Sequence, residues 1–179
     1  MRIRSASDSP AWSPDFEPPT PLATEDWVLS PLRPELNILD YAAFDGCRAR
    51  LRDELGWNGW PRDSFTLTEN DKDLADHYSE FERRLAYAYS VLSPDERSAI
   101  GCVYIEPWSR GAQFHLWMTD SALDEESVVL TRCLQWLHEC WPFETVVVPI
   151  RTHHTRLLDA AAQLGLTPCD GPEGFESYC

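Results

Sequence analysis

The stretch from Ala112 to Cys140, AQFHLWMTDSALDEESVVLTRCLQWLHEC, constrains the fold more than any other part of the chain. Its first half alternates. Phe114, Leu116 and Met118 point one way and Gln113, His115, Trp117 and Thr119 the other, which is the period of a strand. From about Ala122 the spacing becomes that of a helix, with Leu130, Cys133, Leu137 and Trp141 on one apolar stripe. Ser121 followed by Asp124 fits a helix start. A strand feeding a helix N-terminus presents free backbone N–H groups and is a natural place to hold an anion. This junction, however, carries Asp120, Asp124, Glu125 and Glu126 and no basic residue.

Around this unit the pattern predicts a single domain over residues 25–179, preceded by a Pro-rich flexible tail over residues 1–24. Pro10, Pro14, Pro18, Pro19 and Pro21 prevent a regular element in the tail, while Trp12 and Phe16 offer docking points. Trp27 to Leu32 reads as a short strand that Pro31 keeps at a sheet edge. Asn37 to Leu55 reads as one helix, with Tyr41, Phe44, Cys47, Leu51 and Leu55 inward and Gly56 as its stop. After a loop over 57–65, Thr68 with Asp71 starts a second helix that runs to about Arg84. Ala86–Leu92 and Ser98–Glu106 form a hairpin around Ser93-Pro94-Asp95-Glu96, and Pro107 to Gly111 makes a second turn. Thr145–Ile150 is a continuous apolar run, read as a strand buried on both faces. Thr152 is placed to cap a helix from His153 to Leu164, with short strands near 166–168 and 175–178.

Charge and cysteine usage exclude some classes. The formal net charge of −15 argues against nucleic acid and anionic membrane surfaces, both of which need basic patches. No apolar run is long enough to span a bilayer, and the N-terminus lacks the apolar core of a secretory signal. The six cysteines include no C-x-x-C pair, and Cys47, Cys102 and Cys133 fall on apolar faces, so reduced thiols in a cytoplasmic protein are expected. The single lysine, Lys72, sits in the charged run Glu69–Asp76, a solvated helix face.

The element order resembles that of the GNAT superfamily of acyl-CoA-dependent N-acyltransferases. Three stretches carry the resemblance, within about residues 26–170: the hairpin AYAYSVLSPDERSAIGCVYIEP, the strand-to-helix unit at 112–140, and Thr152-His153-His154 to Leu164-Gly165-Leu166. It implies an α/β (α+β) fold, a mixed, mostly antiparallel bent sheet flanked by about four helices and splayed between its fourth and fifth strands. It also implies acetyl-CoA as co-substrate in the splay, held by the backbone of Trp117, Met118, Thr119, Ser121 and Ala122. The family's Arg/Gln-x-x-Gly-x-Gly/Ala phosphate loop is absent, since no glycine lies between Gly111 and Gly165. Carboxylates there repel phosphate: one like-charge pair at ~6 Å costs about 3 kcal/mol at an effective dielectric of ~20. The tyrosine that the family often carries in its late helix is also missing; Asp159 to Gln163 stands there.

Direct acyl transfer to an amine needs a base. Glu106, at the end of a central strand, and His115, on the polar side of the next, are the candidates. Tyr104 is the candidate acid for a leaving thiolate, with Tyr87 and Tyr89 as alternatives. No metal is expected: adjacent histidines such as His153 and His154 point about 100° apart on a helix, and no ligand spacing fits zinc. No serine sits in a nucleophile elbow. The expected function is transfer of an acetyl group from acetyl-CoA to an amine of a small molecule or peptide, by a monomer or homodimer. A catalytically inactive GNAT-like binding or regulatory module is the alternative, to be marked by an exposed aromatic groove near Trp108 and Trp117. A third reading is a homodimeric domain whose C-terminal strands pair between subunits.

Overall fold

The computed structural model describes residues 12–13, 15–108 and 111–179. The expected alternation builds one sheet in chain order: β1 (Val28–Pro31), β2 (Tyr87–Leu92), β3 (Ala99–Trp108), β4 (Gly111–Met118), β5 (Val146–Ile150) and β6 (Glu176–Tyr178). Neighbours are antiparallel except β4 and β5, which run parallel. That parallel pairing covers only Ala112 with Val146 and Gln113 with Val147, after which the strands part. Gly111 sets their closest approach. A Cβ there would overlap the carbonyl oxygen of Thr145, the same oxygen that accepts from the Ala112 N–H at 3.0 Å.

The two faces of β3 and β4 differ in chemistry. Phe114, Leu116 and Met118 pack with Val103 and Ile105 against Leu130, Cys133 and Leu137 of α4 (Glu126–Cys140) and Ala161 of α5 (Thr155–Gln163). Burying each such large apolar side chain contributes about 1.5–3 kcal/mol. The opposite face presents Cys102, Tyr104 and Trp117 to α1 (Asn37–Asp45), α2 (Arg48–Leu55) and α3 (Leu67–Glu82).

Several boundaries differ from the sequence expectation. The predicted helix 37–55 is split: Cys47 leaves helical geometry (φ −130°, ψ 20°), yet Phe44, Cys47, Leu51 and Leu55 still share one buried side. Five α-helices therefore stand among the described residues where about four were expected. The second helix starts on Thr66 rather than Thr68. Its hydroxyl accepts from the Glu69 N–H at 3.2 Å while Glu69 accepts from the Thr66 N–H at 2.8 Å, a reciprocal cap that the longer glutamate completes. The helix expected from Ala122 begins at Glu126, after a 3₁₀ turn over Asp120–Glu125. The last helix begins at Thr155 behind His154, not on a Thr152 cap. β3 continues through Trp108, which pairs with Gly111, so Pro107, Trp108 and Gly111 of the turn placed at 107–111 belong to strands; Ser109 and Arg110 lie outside the described residues.

The N-terminal segment is anchored where it is described. Trp12 is buried, donates from Nε1 to the Arg84 carbonyl at 2.6 Å and packs on Tyr87 and Phe143. At the other end β6 pairs with β5 in the same chain. No helix among the described residues is long and apolar enough to cross a membrane.

Candidate active site at the parting of β4 and β5

Register aligns the candidate catalytic residues on the face toward α1–α3. Tyr104 lies opposite His115, and Glu106 opposite Gln113. Gln113 Nε2 donates to Glu106 Oε2 at 2.9 Å, and Trp117 Nε1 donates to the Tyr104 hydroxyl at 3.3 Å. All three candidates are buried. Burial pushes the Tyr104 phenol well above its usual range and holds His115 down at about 4, so the imidazole is neutral. His115 Nε2 has no hydrogen-bond partner among the described residues. Its ring stands between Trp57, at 5.4 Å, and Phe175, at 6.5 Å.

In an antiparallel ladder, alternate residues turn their backbone groups away from the partner strand. On β4 those of Ala112 face β5, as the Ala112 bond to Thr145 shows, so those of Leu116 and Met118 face the gap. Glu54, Leu55, Phe114, His115, Leu116, Pro149, His154, Leu157 and Phe175 line what is left of it, a cavity of about 10 Å³. That is the threshold for a single water. At the C-terminal end of β4, Arg50 donates through Nη2 to the Met118 carbonyl at 2.5 Å and through Nε to Asp120 at 2.6 Å.

Arg50 also pairs with Glu54, and Arg156 reaches Glu54 at 2.6 Å and Glu126 at 3.3 Å. His154 Nε2 lies 3.2 Å from Glu126 Oε2. Two guanidinium groups and an imidazole thus meet three carboxylates, Glu54, Asp120 and Glu126, at the start of α4. Glu126, 2% exposed, supplies the negative charge that a helix N-terminus favours. Ligand atoms of Glu54, Glu126 and His154 lie within 4.8 Å of one another, a spacing open to a metal, but Arg156 already supplies the cation there.

Trp117 is 1% exposed and packs near Trp60, so its ring is not part of an exposed aromatic groove. Met118 is buried and its carbonyl is taken by Arg50. The Thr119 N–H donates to Ile100 and that of Ala122 to Thr119, while the Thr119 and Ser121 hydroxyls pair at 3.1 Å.

Sequence reasoning missed the basic partners of this acidic junction, although two signals were present. Glu126 lies four residues before Leu130, on the same inward stripe. Arg156 sits in the first turn of α5, where the helix dipole disfavours a cation unless a carboxylate faces it.

A sheet with α1–α3 on one face and α4–α5 on the other, parting after the first residues of β4 and β5, is the GNAT fold. Solved acetyltransferases share it. A ribosomal-protein-S5-alanine acetyltransferase from Vibrio fischeri superposes with a TM-score of 0.70 over 89% of this chain and 93% of its own, at 12% identity. The microcin self-immunity acetyltransferase MccE, solved with acetyl-CoA and AMP, gives 0.70 over 87% and 91% at 8% identity. The ribosomal alpha-N-protein acetyltransferase RimL, solved with coenzyme A, gives 0.66 over 87% and 92% at 12% identity. No protein-family model and no curated protein sequence matches the chain.

Proposed function

We propose that this chain is a GNAT-type N-acyltransferase that transfers an acyl group, acetyl in the simplest case, to an amine of a small molecule or peptide by direct attack. The observation that carries this reading is His115: a neutral imidazole with an unpartnered Nε2, at the point where β4 and β5 part. His115 is the base that takes the amine proton, and Glu106, held by Gln113, shapes the polar wall beside it. Tyr104 keeps its proton and is the candidate donor to a leaving group.

Acetyl-CoA, when bound, supplies the activated acyl group. The chain fits it unevenly. A groove of about 340 Å³ between α4 and α5, with Arg132 and the exposed Val128 and Leu164, offers room and charge for a nucleotide. The gap itself does not admit a pantetheine arm as it stands, because its cavity is only about 10 Å³ and Arg50 occupies the Met118 carbonyl.

The same closure favours a second reading, a GNAT-fold binding module without turnover. Titration of acetyl-CoA by calorimetry separates the two. Micromolar binding, lost in Arg132→Glu, with turnover of an amine panel that falls about 10²–10⁴-fold in His115→Ala supports the enzyme. Absence of binding up to about 1 mM, a free energy weaker than roughly −4 kcal/mol, supports the module. Full activity in both His115→Ala and Glu106→Gln would refute the residue assignment.

A further inference from the structure

Three of the six cysteines, Cys47, Cys102 and Cys133, are buried, and Cys140 is exposed on α4. Cys169 and Cys179 are half-exposed and lie on two segments that pair with each other. Thr167 and Cys179 exchange both backbone hydrogen bonds at 3.0 Å, Pro168 bridges Tyr178, and the Cys169 N–H donates to Ser177 at 2.9 Å. With a side-chain period of two, Cys169 and Cys179 are diagonal neighbours on one face of this ladder. The two sulfurs influence each other electrostatically, the Cys179 side chain raising the pKa of Cys169.

We propose that Cys169 and Cys179 form a modification site that a low-molecular-weight disulfide, such as oxidised glutathione, converts to an intramolecular disulfide. One protein thiolate attacks a sulfur of the reagent, its S–S bond breaks, and one reagent thiol leaves. The second protein thiolate then attacks the mixed disulfide and releases the other reagent thiol. The protein loses two electrons and two protons; the reagent is reduced to two thiols. Burial and the neighbouring sulfur push the Cys169 thiol up to about 12, so it keeps its proton longer and acts as the resolving thiol.

The closed ring spans residues 169–179 and contains Phe175, whose ring faces His115 and stacks over the Arg151 guanidinium at 5.7 Å. Ser177, buried, is tucked against Gly171, where a Cβ would overlap its hydroxyl. Oxidation therefore restrains one wall of the gap. No Lys or Arg stands between Leu157 and Cys179, so both cysteines fall in one tryptic peptide beginning at Leu157.

The test equilibrates the full chain with graded ratios of reduced to oxidised glutathione, alkylates it and maps that peptide. The expected species has lost two hydrogens and resists alkylation at both cysteines. It persists in Cys140→Ser and disappears in Cys169→Ser and Cys179→Ser, each of which instead carries one glutathione. Amide exchange over 170–178 slows by about tenfold in the oxidised form. Two alkylated cysteines at a ratio that glutathionylates Cys140, or stable separate adducts on both, would overturn the proposal.

Discussion

Arg156 and Glu54 are joined across 102 residues of chain, the guanidinium Nη2 donating to Oε1 at 2.6 Å. The bond ties the first turn of α5 to the last turn of α2, and through Glu126 to the first turn of α4. With Arg50 on Glu54 and Asp120, it gives an acidic junction two guanidinium counter-ions.

Removing Arg156 leaves Glu54 and Glu126 buried with less positive charge. Loss of one partner of a buried pair costs about 3–5 kcal/mol, but the Arg156 side chain is 42% exposed, and solvent screens part of that. Arg156→Ala is expected to lower stability by roughly 2 kcal/mol in urea unfolding. Adding Glu126→Gln should restore part of it. A loss near zero would mean the bridge is only a surface contact.

His115 sets an acid limit. Its pKa is lowered from 6.5 to about 4, so its contribution to stability is complete above 6.5 and is lost as pH falls through 4. Wild type should lose up to about 3 kcal/mol against His115→Phe between those values, at about 1.4 kcal/mol per unit. Parallel stability curves for the two proteins over pH 7 to 4 would show that the ring is hydrated rather than dry.

Asp40 acts in the opposite sense. It is buried, accepts from Asn70 Nδ2 at 2.9 Å, and burial raises its pKa from 3.8 to about 7. Its contribution is present below 3.8 and is lost as pH rises through 7. Asp40→Asn keeps an acceptor for Asn70 and carries no charge. It should match wild type near pH 4 and exceed it by up to roughly 4 kcal/mol at pH 8, measured by urea unfolding at each pH.

Gly111→Ala tests the parting of the strands. The new methyl meets the Thr145 carbonyl, which must move and release Ala112. Forced overpacking of this kind costs typically 1–3 kcal/mol. Amide exchange at Ala112 and Val147 should quicken in the variant, and unchanged protection there would show that the hairpin absorbs the methyl elsewhere.

Much of the scaffold was legible because its signals are local. The alternation from Gln113 to Thr119 and the stripe through Leu130, Cys133 and Leu137 report a strand and a helix from neighbours a few residues apart. The order of such units allows few topologies. Boundaries were less legible. At Thr66 and Thr68 two capping patterns overlap by two residues, and the reciprocal bond with Glu69 selects the first.

The site divides along the same line. The sequence by itself put Tyr104 and Glu106 on one face of their strand, since a period of two settles it, while the β3–β4 register brought His115 onto that same face. The sequence also determined that the start of α4 is acidic and lacks glycine. Only the tertiary structure decided what that acidity does. Read along the chain, Asp120 and Glu126 repel an anion; in the fold they are the counter-ions of Arg50 and Arg156, brought in from α2 and α5. Charge pairing depends on distance in space, and the packing of helices on both faces of the sheet sets that distance. The same packing closes the gap beside His115, and no local pattern records it.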